Sequence, residues 1–224
     1  MGETVTLTAR DGHELNAYRS EPKGTPRGGL VIIQEIFGVN THIRAVADSY
    51  AGEGFIVLAP ALFDRFEPGI ELGYAAEDIE KGREIRGKIA HDDAVLDMGA
   101  AVDALREQQL AAAVVGYCWG GSLAWNAATR LDGVACAVGY YGGMIPDMAD
   151  EDPRSPVMLH FGETDGSIPL EGVERVKKKH PDIPVHLYPA GHGFNCDMRD
   201  SYDAESAAQA RKRTLAFLAE HLSS

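Results

Sequence analysis

Three short stretches of this sequence carry residue types that together can perform acyl transfer. The first is Gly116-Tyr117-Cys118-Trp119-Gly120-Gly121, which follows the apolar run at 112–115. Its G-x-C-x-G-G spacing, between a predicted strand and a predicted helix, is that of a nucleophile elbow with cysteine in the serine position. A sharp turn of this kind strains the nucleophile's backbone. It also needs small residues two places before and two places after, so that strand and helix can approach; Gly116 and Gly120 meet that need. The N-terminus of the following helix then faces the thiol and favours its thiolate.

A thiol nucleophile needs a base, and the base needs an orienting acid. Asp165 lies in Gly162-Glu163-Thr164-Asp165-Gly166, just after the apolar stretch 157–161. His192 lies in Ala190-Gly191-His192-Gly193-Phe194, just after the stretch 185–188. The expected nucleophile, acid and base therefore run Cys118, Asp165, His192, each just beyond a separate strand. One oxyanion donor is expected from the N–H of Trp119, and a second from Ile36 or Phe37 after the strand at 29–34. Glu35, between Ile33 and Ile36 at that strand's end, is a costly place for a charge unless it is paired or protonated. Of the other cysteines, Cys136 falls inside a predicted strand and belongs to the core. Cys196 sits beside the His192 loop and is a candidate for substrate contact. His160 is expected to pack within its strand, and His91 and His221 to have surface or capping duties.

The elements that must hold these residues can be read from the same sequence. Residues 5–9 and 15–19 flank Asp11-Gly12, a hairpin signal. The apolar run at 29–34 reads as a strand buried on both faces, 55–59 as a second buried strand, and 112–117, 135–140, 157–161 and 185–188 as further strands. Helices are expected at 41–53 with Asn40 as N-cap, at 75–107 in two segments meeting near His91, and at 119–129, 170–179 and 203–222. Residues 60–74 read as a loop. Buried strands alternating with helices imply one domain, residues 1–224, with about eight mostly parallel strands and helices on both faces. In such sheets, ligands meet the carboxyl ends of the strands.

Composition narrows the function classes. The chain has 224 residues, 45% hydrophobic and 25% charged, with 21 basic against 34 acidic side chains and a net charge of −13. Nucleic acid calls for a basic footprint, and Lys177-Lys178-Lys179 is the densest basic cluster. The apolar stretch 110–128 is interrupted by Gly116, Gly120, Gly121, Ser122 and Asn126, unlike a membrane span. The opening Met1-Gly2-Glu3-Thr4 lacks the basic start and apolar stretch of a secretory leader, so a cytoplasmic protein is expected. Three cysteines with no paired spacing read as reduced thiols. No CxxC or HExxH spacing occurs, and neither metal nor cofactor is expected.

Gln34-Glu35-Ile36-Phe37-Gly38-Val39-Asn40 resembles the QEIFGVN signature of dienelactone hydrolases (carboxymethylenebutenolidases). Gly116–Gly121, Gly139-Tyr140-Tyr141-Gly142 and Ala190–Phe194 resemble the same family, in the same order. The resemblance implies a single-domain α/β-hydrolase fold that opens lactone or ester bonds without a cofactor, as a monomer or small homo-oligomer. It carries over Cys118, Asp165 and His192 as the triad, Ile36 and Trp119 as oxyanion donors, and Glu35 as a partner of the resting thiol. It also implies a substrate contact at Tyr140 and two arginines for a substrate carboxylate. The first arginine is expected in the helical insert, at Arg83 or, one turn on, Arg86. At the second position stands Cys196, with Arg199 three residues further; Arg65, in the 60–74 loop, is another candidate. Two alternatives remain: a broad esterase for neutral esters, and a non-catalytic, redox-sensing thiol protein.

Overall fold

The computed structural model describes residues 2–222; Met1, with which the expected leaderless start begins, lies outside them. One eight-stranded sheet runs through the molecule in the order β1-β2-β4-β3-β5-β6-β7-β8. Strands β1 (Glu3–Thr8) and β2 (Glu14–Ser20) form the expected antiparallel hairpin, closed by Ala9 N–H to His13 O at 2.8 Å and Gly12 N–H to Ala9 O at 2.9 Å. Strand β2 pairs antiparallel with β4 (Ile56–Pro60). From there β3 (Gly29–Ile33), β5 (Ala112–Tyr117), β6 (Val134–Tyr140), β7 (Val157–Gly162) and β8 (Val185–Tyr188) continue in parallel.

Helix α1 (Thr41–Gly52) begins where Asn40 accepts the Ile43 N–H at 3.2 Å, the expected N-cap. The helical insert splits into α2 (Ala76–Lys88) and α3 (His91–Glu107), meeting at His91 as expected. Helices α4 (Trp119–Arg130), α5 (Leu170–Lys179) and α6 (Ala204–His221) complete the set. The 60–74 segment, expected as loop, contains one 3-10 turn, Leu62–Arg65. No helix of the described residues is long and apolar enough to cross a membrane.

Two consecutive residues of β5 show how the layers divide, because neighbours in a strand point to opposite faces. A Cβ on Gly116 would lie 1.8 Å from the Gly120 carbonyl oxygen, so this face is pressed against α4. Tyr117 faces the other way, its hydroxyl 3.4 Å from that of Tyr50 in α1. On that second face, the Arg211 guanidinium of α6 lies 3.3 Å from the Tyr50 ring centroid. Helices α1 and α6 thus cover one face and α4 the other. The four strand ends at Ile33, Tyr117, Gly162 and Tyr188 open toward the same edge, and they feed the segments that hold Glu35, Cys118, Asp165 and His192.

Candidate active site

Cys118 sits between the last residue of β5 and the first of α4, with φ 55° and ψ −112°. This is the left-handed region that a residue with a Cβ seldom adopts, and it costs on the order of 1–3 kcal/mol unless the surroundings enforce it. Here they do. The Cys118 N–H donates to Tyr140 O at 2.9 Å, and the Gly120 N–H to Gln34 O at 3.1 Å. A Cβ on Gly120 would come within 2.5 Å of the Ile33 carbonyl oxygen. The turn is clamped between β3 and β6, and the thiol is left half-buried while Cys136 and Cys196 are buried.

From the thiol, a hydrogen-bonded chain runs through two other loops. His192 Nε2 is 3.1 Å from Cys118 Sγ, and its Nδ1 is 2.7 Å from Asp165 Oδ2. Asp165 is itself fixed, accepting the Ser167 N–H at 2.8 Å. Burial disfavours the imidazolium, but the hydrogen bonds to Asp165 and Cys118 outweigh it and hold His192 up at about 10. At neutral pH both ring nitrogens therefore carry protons, one given to a carboxylate and one to sulfur.

The surroundings of Glu35 differ from what the resemblance implies. Its side chain is buried, and its partners are Arg199 (Nη1 to Oε1, 3.3 Å) and the Tyr74 hydroxyl (3.4 Å to Oε2), not the Cys118 thiol. The costly charge anticipated at this strand end is paired.

Cys118, His192, Ile36, Trp119, Arg83 and Arg199 line one cavity of about 350 Å³, with Phe37, Ile79, Arg86, Ser122, Gly143, Met144 and Ser167. Trp119 opens α4, where the first N–H groups of a helix have no acceptor within it, as an oxyanion donor requires. A larger cavity, about 810 Å³, lies at the opposite, amino ends of β7 and β8. It is lined by Pro156, Ile183, Pro184 and Phe217 among others and holds none of the expected catalytic residues.

Two expected substrate contacts lie elsewhere. Arg65 is turned to Asp97 (2.8 Å to each carboxylate oxygen) and Asp11 (2.7 Å), a bidentate pairing that ties the Leu62–Arg65 turn to α3. Tyr140 is buried behind the cavity, its hydroxyl 2.7 Å from Thr214 Oγ1; it serves the site through its carbonyl, which holds the Cys118 N–H. His160 packs in the core as expected, with Nδ1 2.8 Å from the Tyr188 hydroxyl and Nε2 3.1 Å from Thr214 Oγ1. Burial pushes the Cys136 thiol up to about 12 and the Cys196 thiol up to about 11.

The sequence reading did not single out Tyr74 or Tyr141. Tyr74 reaches Glu35 because the 60–74 segment is tied to the 35–40 loop, by Leu72 N–H to Phe37 O at 2.8 Å and Asn40 Nδ2 to Leu72 O at 3.0 Å. Tyr141, beside the quoted Tyr140, has its ring centroid 5.1 Å from that of His192. Nothing in local spacing marks Tyr74; Tyr141 lay within a quoted motif, and only its neighbour was assigned a role.

A parallel sheet of this strand order, with a strained thiol after β5, an acid after β7 and a histidine after β8, defines an α/β-hydrolase. A profile of the Dienelactone hydrolase family matches residues 15–222. A carboxymethylenebutenolidase of Pseudomonas putida is 32% identical over 229 residues, covering 98% of this chain and 97% of its own. Carboxymethylenebutenolidase 1 of Cupriavidus pinatubonensis is 30% identical, covering 98% and 97%. A crystal structure from Klebsiella pneumoniae, assigned as a dienelactone hydrolase, superposes with a TM-score of 0.87 at 27% identity, covering 98% of each chain. The chain belongs to the dienelactone hydrolase family, hydrolases of lactone and ester bonds.

Proposed function

We propose that the enzyme opens a small carboxylate-bearing lactone, a dienelactone or a close analogue, through an acyl-thioester on Cys118. The observation that carries this reading is the continuous hydrogen-bonded chain Cys118–His192–Asp165 opening into a cavity lined by three arginines. The Cys118 thiolate attacks the carbonyl carbon, and the tetrahedral oxyanion is held by the N–H groups of Ile36 and Trp119. Its collapse breaks the ring C–O bond and leaves the acyl group on sulfur. His192 gives its Nε2 proton to the departing oxygen. It then takes one from the water that attacks the thioester, and Asp165 keeps the imidazole oriented throughout. Release of the acid restores the thiolate and the imidazolium.

Arg83, Arg86 and Arg199 favour an anionic substrate, because a guanidinium fork matches a carboxylate. Phe37, Ile79 and Met144 suit an apolar body of few atoms. The relatives named carboxymethylenebutenolidase act on such a molecule by name. A neutral ester is the second reading, and it is favoured by the pairing of Arg199 with Glu35, which takes up one of the three charges.

The test is kcat/KM on dienelactone and on p-nitrophenyl acetate. Cys118→Ala is expected to lower both by about 10⁴-fold or more. Arg83→Ala, Arg86→Ala and Arg199→Ala should weaken dienelactone use by about 10-fold or more for each guanidinium that meets the carboxylate, and leave the neutral ester nearly unchanged. Glu35→Ala is expected to lower turnover on the lactone. Equal losses on both substrates in the arginine variants would move the assignment to neutral esters. Activity surviving in Cys118→Ala would overturn the nucleophile.

A further inference from the structure

Beside Arg199, at the margin of the cavity, lie three buried side chains of the kinds that bind a thiophilic metal. The atoms Glu35 carboxylate O, a ring nitrogen of His42 and Cys196 Sγ all lie within 4.8 Å of one another. They come from three places: the end of β3, the first turn of α1, and the loop after His192. Sulfur, imidazole and carboxylate on three converging elements are the donor set of a three-ligand zinc site with one open position. Metal–ligand bonds of about 2.0–2.3 Å bring such atoms to roughly 3–4 Å of one another, so closure requires movement of about an ångström.

Two further features point to a ligand there. His42 Nδ1 is 3.0 Å from Asp197 Oδ1. A carboxylate on one imidazole nitrogen is the arrangement that orients a metal-binding histidine and makes its other nitrogen the ligand. The buried Tyr141 hydroxyl has no hydrogen-bond partner among the described residues. Ionisation of Glu35, Cys196 or Cys118 would push its own further up, so it lies near the same buried region. A buried hydroxyl without a partner there calls for a ligand, such as the water or anion of a metal's open position.

We propose that Glu35, His42 and Cys196 form a site for a thiophilic divalent cation, zinc or cadmium, beside the Arg199 wall of the cavity. The cation takes the place of Arg199 as the counter-charge of Glu35. Cys196 binds as thiolate and its proton leaves to the buffer, so the cation is neutralised by one thiolate and one carboxylate. Arg199, released, turns its guanidinium to the cavity it already lines. Metal loading thereby alters the charge that meets a substrate.

The test uses the full chain carrying Cys118→Ser, which removes the competing thiol–imidazole pair, titrated with Cd²⁺. Calorimetry gives stoichiometry and affinity, and the sulfur-to-cadmium charge-transfer band in the ultraviolet reports thiolate ligation. The expected result is one Cd²⁺ per chain with the band present. Adding Cys196→Ser, a nearly isosteric change, should abolish the band, even though Cys136 remains. Asp197→Asn should weaken binding about 10–100-fold, as loss of an orienting partner does. Thermal melting checks that each variant is folded. A band that persists in Cys118→Ser/Cys196→Ser, or a Cys118→Ser protein that shows none, would overturn the site.

Discussion

A thiol attacks only as its thiolate, so the proton held by His192 matters as much as the sulfur beside it. The hydrogen bonds to Asp165 and Cys118 outweigh burial and keep this imidazole charged up to about 10. The imidazolium therefore stays in place across the neutral and mildly alkaline range. Alkylation of Cys118 by iodoacetamide at neutral pH is expected to be slowed several-fold by His192→Gln, which removes the imidazolium beside the sulfur. A rate unchanged in His192→Gln would show that the imidazolium does not activate this thiol. Peptide mapping of the native protein should find the label on Cys118 ahead of Cys136 and Cys196, whose thiols burial pushes to about 12 and about 11. The Cys118 turn was legible because its glycines are a local steric requirement, met within five residues. The partner of Glu35 was not. Arg199 reaches Glu35 across 164 positions, displaced by three from where the family resemblance put an arginine, and no local pattern encodes that. For the same reason the Glu35–His42–Cys196 cluster could not appear in a search for short metal-binding spacings.

Between elements, the tightest joints are those that set the loops. The β5–α4 joint leaves no room for a side chain at Gly116, which is why the elbow could be read from glycine placement alone. The β7–β8–α6 joint is polar: Thr214 Oγ1 on α6 meets His160 Nε2 at 3.1 Å and the Tyr140 hydroxyl at 2.7 Å, and His160 Nδ1 meets the Tyr188 hydroxyl of β8 at 2.8 Å. Thr214→Val keeps the shape and removes both contacts, leaving two buried polar groups with one partner fewer. It is expected to cost about 1–3 kcal/mol in urea denaturation. A loss below about 0.5 kcal/mol would mean that the network contributes little to holding α6 on the sheet. The central strands were legible because burial on both faces demands continuous apolar runs such as Leu30–Ile33. The 60–74 segment was legible only as loop. Its 3-10 turn depends on distant partners, such as Leu62 N–H to Gln34 Oε1 at 3.0 Å and Arg65 on Asp97. Composition of the segment itself carries no sign of them.

For the whole molecule, two histidines of opposite perturbation set how stability changes with pH. Burial first, then the charges of His186 and Arg213, drive His160 well below its ordinary value. It is neutral in the fold but takes up a proton below about pH 6.5 once the chain unfolds. The stability it contributes is therefore present above about 6.5 and lost as pH falls, with a limiting slope of about 1.4 kcal/mol per pH unit for one proton. His192 has the reverse sign. Its folded value is raised to about 10, so its contribution is complete below the unfolded value and drains away as pH rises through the folded one. Losses on both sides place maximal stability near neutral pH, close to where an unfolded histidine titrates. Urea denaturation at intervals between about pH 5 and 10 should trace that dome. The range stops short of the region where paired carboxylates such as Asp11, held at about 2 by Arg65, begin to protonate. His160→Gln should flatten the acid limb and leave the alkaline limb standing; His192→Gln should flatten the alkaline limb below about pH 8.5, above which the unfolded Cys136 and Cys196 thiols, held at about 12 and about 11 in the fold, also ionise and keep the stability falling. An acid limb that keeps its full slope in His160→Gln would assign the proton uptake to another group, with the half-buried His186, lowered by burial and Arg213, as the first to substitute.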